Sequence, residues 1–184
     1  MTNSDRSPHA SEGQQGLVIW ITGLSGAGKT TLAKKVYARV LEHTPGTVLI
    51  DGDIFRKTFA PQSGYSNTAR LQVARRVACL CKFLSDQHLI VVCAVMGLFH
   101  EIQDWNRRHL TRYFEVYLHA DVEILFRRKQ IYAQAARGEL SNVVGVDLPF
   151  EPPKTPDLRV DTGSDTADYD LLADDIVGTV WPRR

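Results

Sequence analysis

Unbroken apolar runs and helical periods take turns along this chain. "GLVIWIT", Gly16 to Thr22, has no charged residue and reads as a strand. "KTTLAKKVYARVLEH" follows, with Leu32, Val36, Val40 and Leu41 spaced to share one helical face. "TVLIDGD" predicts a second strand that ends on two acids. "NTARLQVARRVACLCKFLSDQ" predicts a long helix capped at Ser66 or Asn67. "LIVVCAV" and "YFEVYL" give the third and fourth strands, "VEILFRR" a helix, "DLRVDT" a short fifth strand and "TADYDLLADDIVGTV" a last helix. The third strand is apolar throughout, as a strand covered on both faces must be. Strand then helix, repeated, predicts an α/β fold with three layers around a central parallel five-stranded sheet. No internal repeat interrupts it.

One segment breaks the alternation. From Lys129 to Pro156 the chain reads "KQIYAQAARGELSNVVGVDLPFEPPKTP", mixing basic residues, glycines, prolines and aromatics. So long a connection inside a compact domain is usually functional, and a lid over about 129–156 is the expectation. Residues 1–15 are polar with no apolar core of a signal peptide, and read as a disordered tail before one domain at 16–184. The longest apolar run, Leu89 to Phe99, is too short to span a bilayer, so no membrane partner is expected.

Composition narrows the partners further. With 22 Lys and Arg against 21 Asp and Glu, the formal net charge of +1 offers no basic footprint for nucleic acid. Cys79, Cys81 and Cys93 lie in apolar surroundings at no zinc-site spacing. They are expected to be buried, reduced thiols, which fits the cytoplasm.

The chemistry starts where the first strand ends. Gly23-Leu24-Ser25-Gly26-Ala27-Gly28-Lys29-Thr30 fits G-x-x-x-x-G-K-[ST], followed by Thr31. The glycines let backbone N–H groups turn onto phosphate oxygens, Lys29 reaches the terminal phosphates of a nucleotide, and the Thr30 hydroxyl can ligate Mg²⁺. The helix that follows points its positive end at the same anion. A strand before and a helix after make this a P-loop. No guanine-reading N-K-x-D follows, and a single small domain with a basic connection looks like a small-molecule kinase.

Asp51-Gly52-Asp53 closes the second strand, at the edge where parallel sheets place their chemistry. Two acids there can hold Mg²⁺ and take a proton from an attacking hydroxyl, although Asp-Gly is also a turn signal. Arg56 and Arg70 can clamp an anionic acceptor, or be surface residues.

Together with "GLSGAGKTT", the stretches "DGDIFR", "GYSNTAR", "FEVYL", "ARGEL" and "GVDLPFEPPKTPDLRVDT" resemble the adenylyl-sulfate (APS) kinase family, from about Gly16 to Thr162. The resemblance implies transfer of the ATP γ-phosphoryl to the ribose 3′-hydroxyl of adenylyl sulfate, giving PAPS. It implies Asp51 as acid-base and metal-side carboxylate, with Thr30 on the metal and Asp53 beside the acceptor ribose. Arg56 and Arg70 would hold the acceptor's anionic part. Tyr65 and Phe150 would sandwich its base, with Phe99 and His100 on the same side. Arg128, Lys129 and Arg137 would be the lid cations, and a homodimer is the implied assembly.

The departures from the family pattern cluster on the acceptor side. Ile54 stands where the family has Asn, and Val73 replaces the Asn of its D-R-x-x-N helix. Gly97 and His100 replace the Ser and Arg of I-S-P-[YF]-R. "GLFHEIQDWNRRHLTRYFEVYL" resembles a branch acting on cytidine diphosphoramidate, on the way to phosphoramidate decoration of surface sugars. Adenylyl sulfate is the family's majority acceptor, and the cytidine conjugate is the alternative. A nucleotide-binding module without transfer would predict damage at Lys29, Thr30 or Asp51, and all three are intact.

Overall fold

The computed structural model describes residues 15–163 and 167–181. Apart from Gln15, the expected N-terminal tail lies outside the described residues.

Five strands form one parallel sheet: β1 (Leu17–Gly23), β2 (Thr47–Asp51), β3 (Ile90–Ala94), β4 (Tyr113–His119) and β5 (Leu158–Asp161), in the order β2-β3-β1-β4-β5. β1 is central, and its alternate residues feed two different cores. Leu17, Ile19 and Ile21 meet Leu32, Val36 and Val40 of α1 (Lys29–His43) and Ala173 and Ile176 of α7 (Tyr169–Val180). Val18 and Trp20 meet Val73, Val77, Ala78 and Cys81 of α3 (Asn67–Ser85) on the other face. Burial on both faces is why this strand carries no polar alternation. The sheet is thus the middle of three layers.

Ser66 is the cap of α3, its Oγ accepting from the Ala69 N–H. Leu41 does not share the face of Leu32, Val36 and Val40: it is exposed, one position past the buried stripe. Cys79 is exposed too, against expectation, while Cys81 and Cys93 are buried. A helix turns about 100° per residue, so position 79 points outward when 78 and 81 face the sheet.

Three helices were not legible in the apolar pattern: α2 (Gly52–Phe59), α4 (His100–His109) and α6 (Gln130–Ala136), the last following α5 (Val122–Arg128). The segment expected as a lid is therefore partly helical. It also has its own core, in which Leu125, Tyr132, Val143 and Val144 pack with Leu24, Leu98 and Tyr117. Among the described residues, no helix is long and apolar enough to cross a membrane.

Candidate functional site

The sheet order reverses at β1, with β3 on one side and β4 on the other, and the loop after β1 opens at that switch point. Gly28 precedes α1 with φ +95°, where an L side chain is strained. A Cβ there would also lie 2.1 Å from the Tyr169 hydroxyl, so α7 closes against the loop and only glycine fits between them. The first N–H groups of α1 have no carbonyl partner inside the helix, which leaves them for an anion.

Lys29 Nζ donates to the Leu24 carbonyl at 2.8 Å across the mouth of the loop. Burial pushes its pKa down to about 8, against the opposing pull of Asp53 and Asp51. Thr30 Oγ1 donates to Asp51 Oδ2 at 2.7 Å. The other oxygen of Asp51 caps α2, accepting from the N–H groups of Asp53 and Ile54 at 2.9 and 3.1 Å. That double duty orients the carboxylate: one oxygen is fixed by the helix, the other faces the loop.

Ser25, Gly26, Gly28, Lys29, Thr30, Thr31, Asp51, Asp53 and Lys129 line one cleft of about 270 Å³, floored by the C-terminal end of β3 at Ala94 and Val95. Leu24 and Ala27 are buried and hold the loop from beneath, and Gly23 ends β1. A hydroxyl and a carboxylate side by side are hard oxygen donors, and Mg²⁺ takes few protein ligands besides phosphate and water. Thr30 and Asp51 therefore fit a Mg²⁺ that arrives with ATP.

The lid cations divide. Lys129 lines the cleft, and its Cγ would be 3.0 Å from a Cβ at Gly26. Arg128 lies beside the same glycine. Arg137 does not reach the cleft: it pairs with Glu139 on the exposed surface.

On the acceptor side, the predicted residues are close together but already engaged. Arg56 donates to Ser63 Oγ and the Gly64 carbonyl at 2.9 and 2.7 Å. Arg70 donates to the carbonyls of Tyr65 and Asn142, both at 2.9 Å. Burial, and then the nearby Arg56 charge, lowers its pKa. Both guanidinium groups lie over the exposed Tyr65 ring, at 5.1 and 5.3 Å. An apolar cavity of about 330 Å³ runs from Tyr65 past Met96 to Tyr132 and Val143. Phe150 lies instead in a groove with Leu98, Phe99 and Pro149. The two rings do not share one cavity here, so the expected sandwich is not formed in this state.

The departures from the family pattern also separate. Val73 is buried between α3 and the sheet, so that change belongs to the core. Ile54 is 65% exposed at the start of α2. A Cβ at Gly97 would come within 2.7 Å of the Trp20 indole. His100 turns away from the cleft: its Nε2 donates to the Pro152 carbonyl at 3.0 Å.

Two residues at the site were missed in the sequence. Tyr132, fully buried, donates its hydroxyl to the Ser25 carbonyl at 2.8 Å and so ties α6 to the phosphate loop. Burial pushes its pKa up to about 12. Tyr169 packs on Gly28 from α7. Tyr132 falls in the segment expected as a lid and Tyr169 in the last helical pattern; only the loop's position in space reveals what they touch.

A phosphate cradle, its lysine and a carboxylate on the next strand, all at the switch point of a parallel sheet, define an ATP-dependent phosphotransferase of the P-loop kinase fold. More narrowly, the chain belongs to the adenylylsulphate kinase family, which matches residues 15–161. It is 36% identical over 156 residues to the probable adenylyl-sulfate kinase of Pyrococcus abyssi, covering 84% of this chain and 90% of that one. It is also 36% identical over 139 residues to the cytidine diphosphoramidate kinase of Campylobacter jejuni, covering 74% and 81%. The Mycobacterium tuberculosis APS kinase CysC, solved with AMPPNP and APS, superposes with a TM-score of 0.81 at 28% identity, over 90% of this chain and 98% of that one.

Proposed function

We propose that this protein transfers the γ-phosphoryl of ATP to the ribose 3′-hydroxyl of adenylyl sulfate. The observation that supports the reading is the contact of Thr30 with Asp51 in the cleft that Lys29 also lines. In this reading Lys29, with Lys129 and Arg128 from the lid, balances charge on the phosphoryl in flight. Thr30 and Asp51 would hold Mg²⁺, which would supply positive charge against the phosphates of the nucleotide. Asp51 accepts the proton of the ribose hydroxyl as its oxygen attacks phosphorus and ADP leaves. Asp53 lies beside the acceptor ribose. The residues of Gly23 to Thr31 bind ATP. Arg56, Tyr65, Arg70, Phe99 and Phe150 form the acceptor wall, and the exposed Tyr65 closes toward Phe150 on the base when the acceptor enters.

Cytidine diphosphoramidate is a second reading, and one observation favours it. His100, standing where the family's acceptor-side arginine would be, is bonded to Pro152 rather than presented to the cleft. A site that has lost a polar contact to one substrate is open to another.

ADP release with ATP and Mg²⁺, with adenylyl sulfate and cytidine diphosphoramidate offered in parallel, tests both. Turnover on adenylyl sulfate supports the first reading. Turnover only on the cytidine conjugate replaces it with the second, and turnover on neither refutes both.

A further inference from the structure

Helix α4 carries few apolar residues, yet it is held closely to the rest of the molecule by polar ones. His100, Gln103 and Arg107 are spaced to share one helix face. All three bond to the stretch that follows Phe150. The His100 N–H donates to Glu151 Oε2 at 2.7 Å and its ring Nε2 to the Pro152 carbonyl at 3.0 Å. Gln103 Nε2 donates to the Glu151 carbonyl at 3.0 Å. Arg107 donates to the Thr155 carbonyl at 2.6 Å and to Asp157 Oδ2 at 3.2 Å. The Glu151 N–H donates in turn to the Leu98 carbonyl at 3.0 Å.

The far end of this face is itself anchored. Arg107 also donates to Glu115 Oε2 at 3.1 Å, and Glu115 is buried in β4. Tyr113 donates to the other oxygen of Glu115 at 3.0 Å. Asp157 Oδ2 accepts the Glu115 N–H at 2.7 Å, which closes the circuit. A second anchor lies on the other side of Phe150: the Asp147 carboxylate accepts from the N–H groups of Asn142 and Val143, and Arg70 holds the Asn142 carbonyl. Leu148 is bonded at both its N–H and its carbonyl, so between the two pinned stretches only Pro149 and Phe150 remain.

We infer that the His100–Gln103–Arg107 face of α4 is a positioning strut that holds Phe150 ready for the acceptor. The inference rests on the proposed function, in which Phe150 meets the acceptor's base. A strut of this kind removes the need to order the arm on binding, so its loss weakens acceptor capture without touching phosphate chemistry. His100 is then a positioning residue. It does not touch the acceptor, and an imidazole serves because it reaches a backbone carbonyl.

Hydrogen exchange on the free protein and acceptor kinetics test this together, using His100→Ala, Gln103→Leu and His100→Gln. The first two variants should speed exchange of the Glu151 amide, which is bonded to the Leu98 carbonyl, and of its non-proline neighbours, while leaving α1 and α3 unchanged. They should raise the acceptor KM about tenfold, with kcat and the ATP KM within about twofold. His100→Gln, which keeps an N–H donor, should restore both readouts. Unchanged exchange in the first two variants would overturn the strut. So would a fall in kcat at constant acceptor KM, or a His100→Gln that behaves like His100→Ala. Exchange needs no substrate: if neither acceptor is turned over, the proposed function falls while the strut is still decided by exchange.

Discussion

The two halves of the cleft are built on opposite plans. In the donor half, Lys29 bonds to the loop and Thr30 to Asp51, whose second oxygen caps α2, and all three face open space of about 270 Å³. In the acceptor half, Arg56, Arg70 and His100 are committed to backbone carbonyls at 2.7–3.0 Å. Phosphate looks the same in every nucleotide, so a rigid cradle can be finished in advance. The proposed acceptor wall is made of α2, the turn after it, and the arm that carries Phe150. Arg56 and Arg70 brace that wall through their bonds to its carbonyls. The comparison teaches that an arginine at a proposed anion site can be committed to the protein's own backbone.

The sharpest way to break the contrast is to strip the donor half. Lys29→Ala removes the charge nearest the transferring phosphoryl, and kcat/KM for ATP should fall on the order of 10³–10⁵-fold. A loss under tenfold would sink the role given to Lys29. Asp51→Asn keeps an oxygen that can cap α2 but loses the base and the metal-side charge. A kcat loss of about 10²–10⁴-fold with ATP affinity largely retained is the expected result, read by single-turnover kinetics and nucleotide titration. Near-normal turnover would remove Asp51 from the chemistry.

The same lysine gives the donor half a pH signature. With a pKa held near 8 by burial, Lys29 loses its proton above about pH 8 in the free enzyme. The kcat/KM for ATP should then decline by about tenfold per pH unit, whereas kcat should hold to higher pH because bound phosphate stabilises the charged amine. Stability moves the other way. Between about pH 8 and the usual lysine value of 10.5, the unfolded chain binds more protons than the folded one, so the stability contribution of this group rises with pH. An ATP profile flat to pH 10 would contradict the buried environment of Lys29.

In the acceptor half the effects should be smaller and confined to the acceptor. Tyr65→Ala and Phe150→Ala should each raise the acceptor KM by about 5- to 100-fold, the range for loss of one stacked base. The ATP KM should stay put. An equal rise in both constants would mean that the rings support the fold rather than the acceptor.

How much of this could be read from the chain depends on which force makes each element. The sheet and its covering helices were legible because burial leaves an apolar period, as in β1 and α1. Helix α2 left none: of its apolar residues only Phe55 is buried, while Ile54 and Phe59 are exposed, and its start is set by the Asp51 cap. Helix α4 buries Gln103 and Asn106 alongside Ile102, so its inner face looks polar. The phosphate loop was legible residue by residue because its chemistry is local. The acceptor wall was not, because what Arg70 and His100 bind is set by carbonyls at Asn142 and Pro152, 72 and 52 positions away.

Tyr132 joins the two halves, and the mildest substitution tests that join. Its hydroxyl is the hydrogen bond from α6 to the Ser25 carbonyl, at the centre of the phosphate loop. Tyr132→Phe keeps the ring in its buried slot against Phe126 and Val143 and removes one bond, worth about 0.5–1.5 kcal/mol net. If the bond only secures packing, melting temperature drops slightly and both KM values stay. If it couples lid to cradle, as its place between Ser25 and the lid core argues, the ATP KM should rise by about threefold to tenfold, more than stability loss explains. The acceptor KM should rise with it, since α6 borders the cavity that Tyr65 opens into. Equal movement of both constants from a single buried hydroxyl would mark the halves as one mechanical unit, while movement of the ATP constant alone would show that they are set independently.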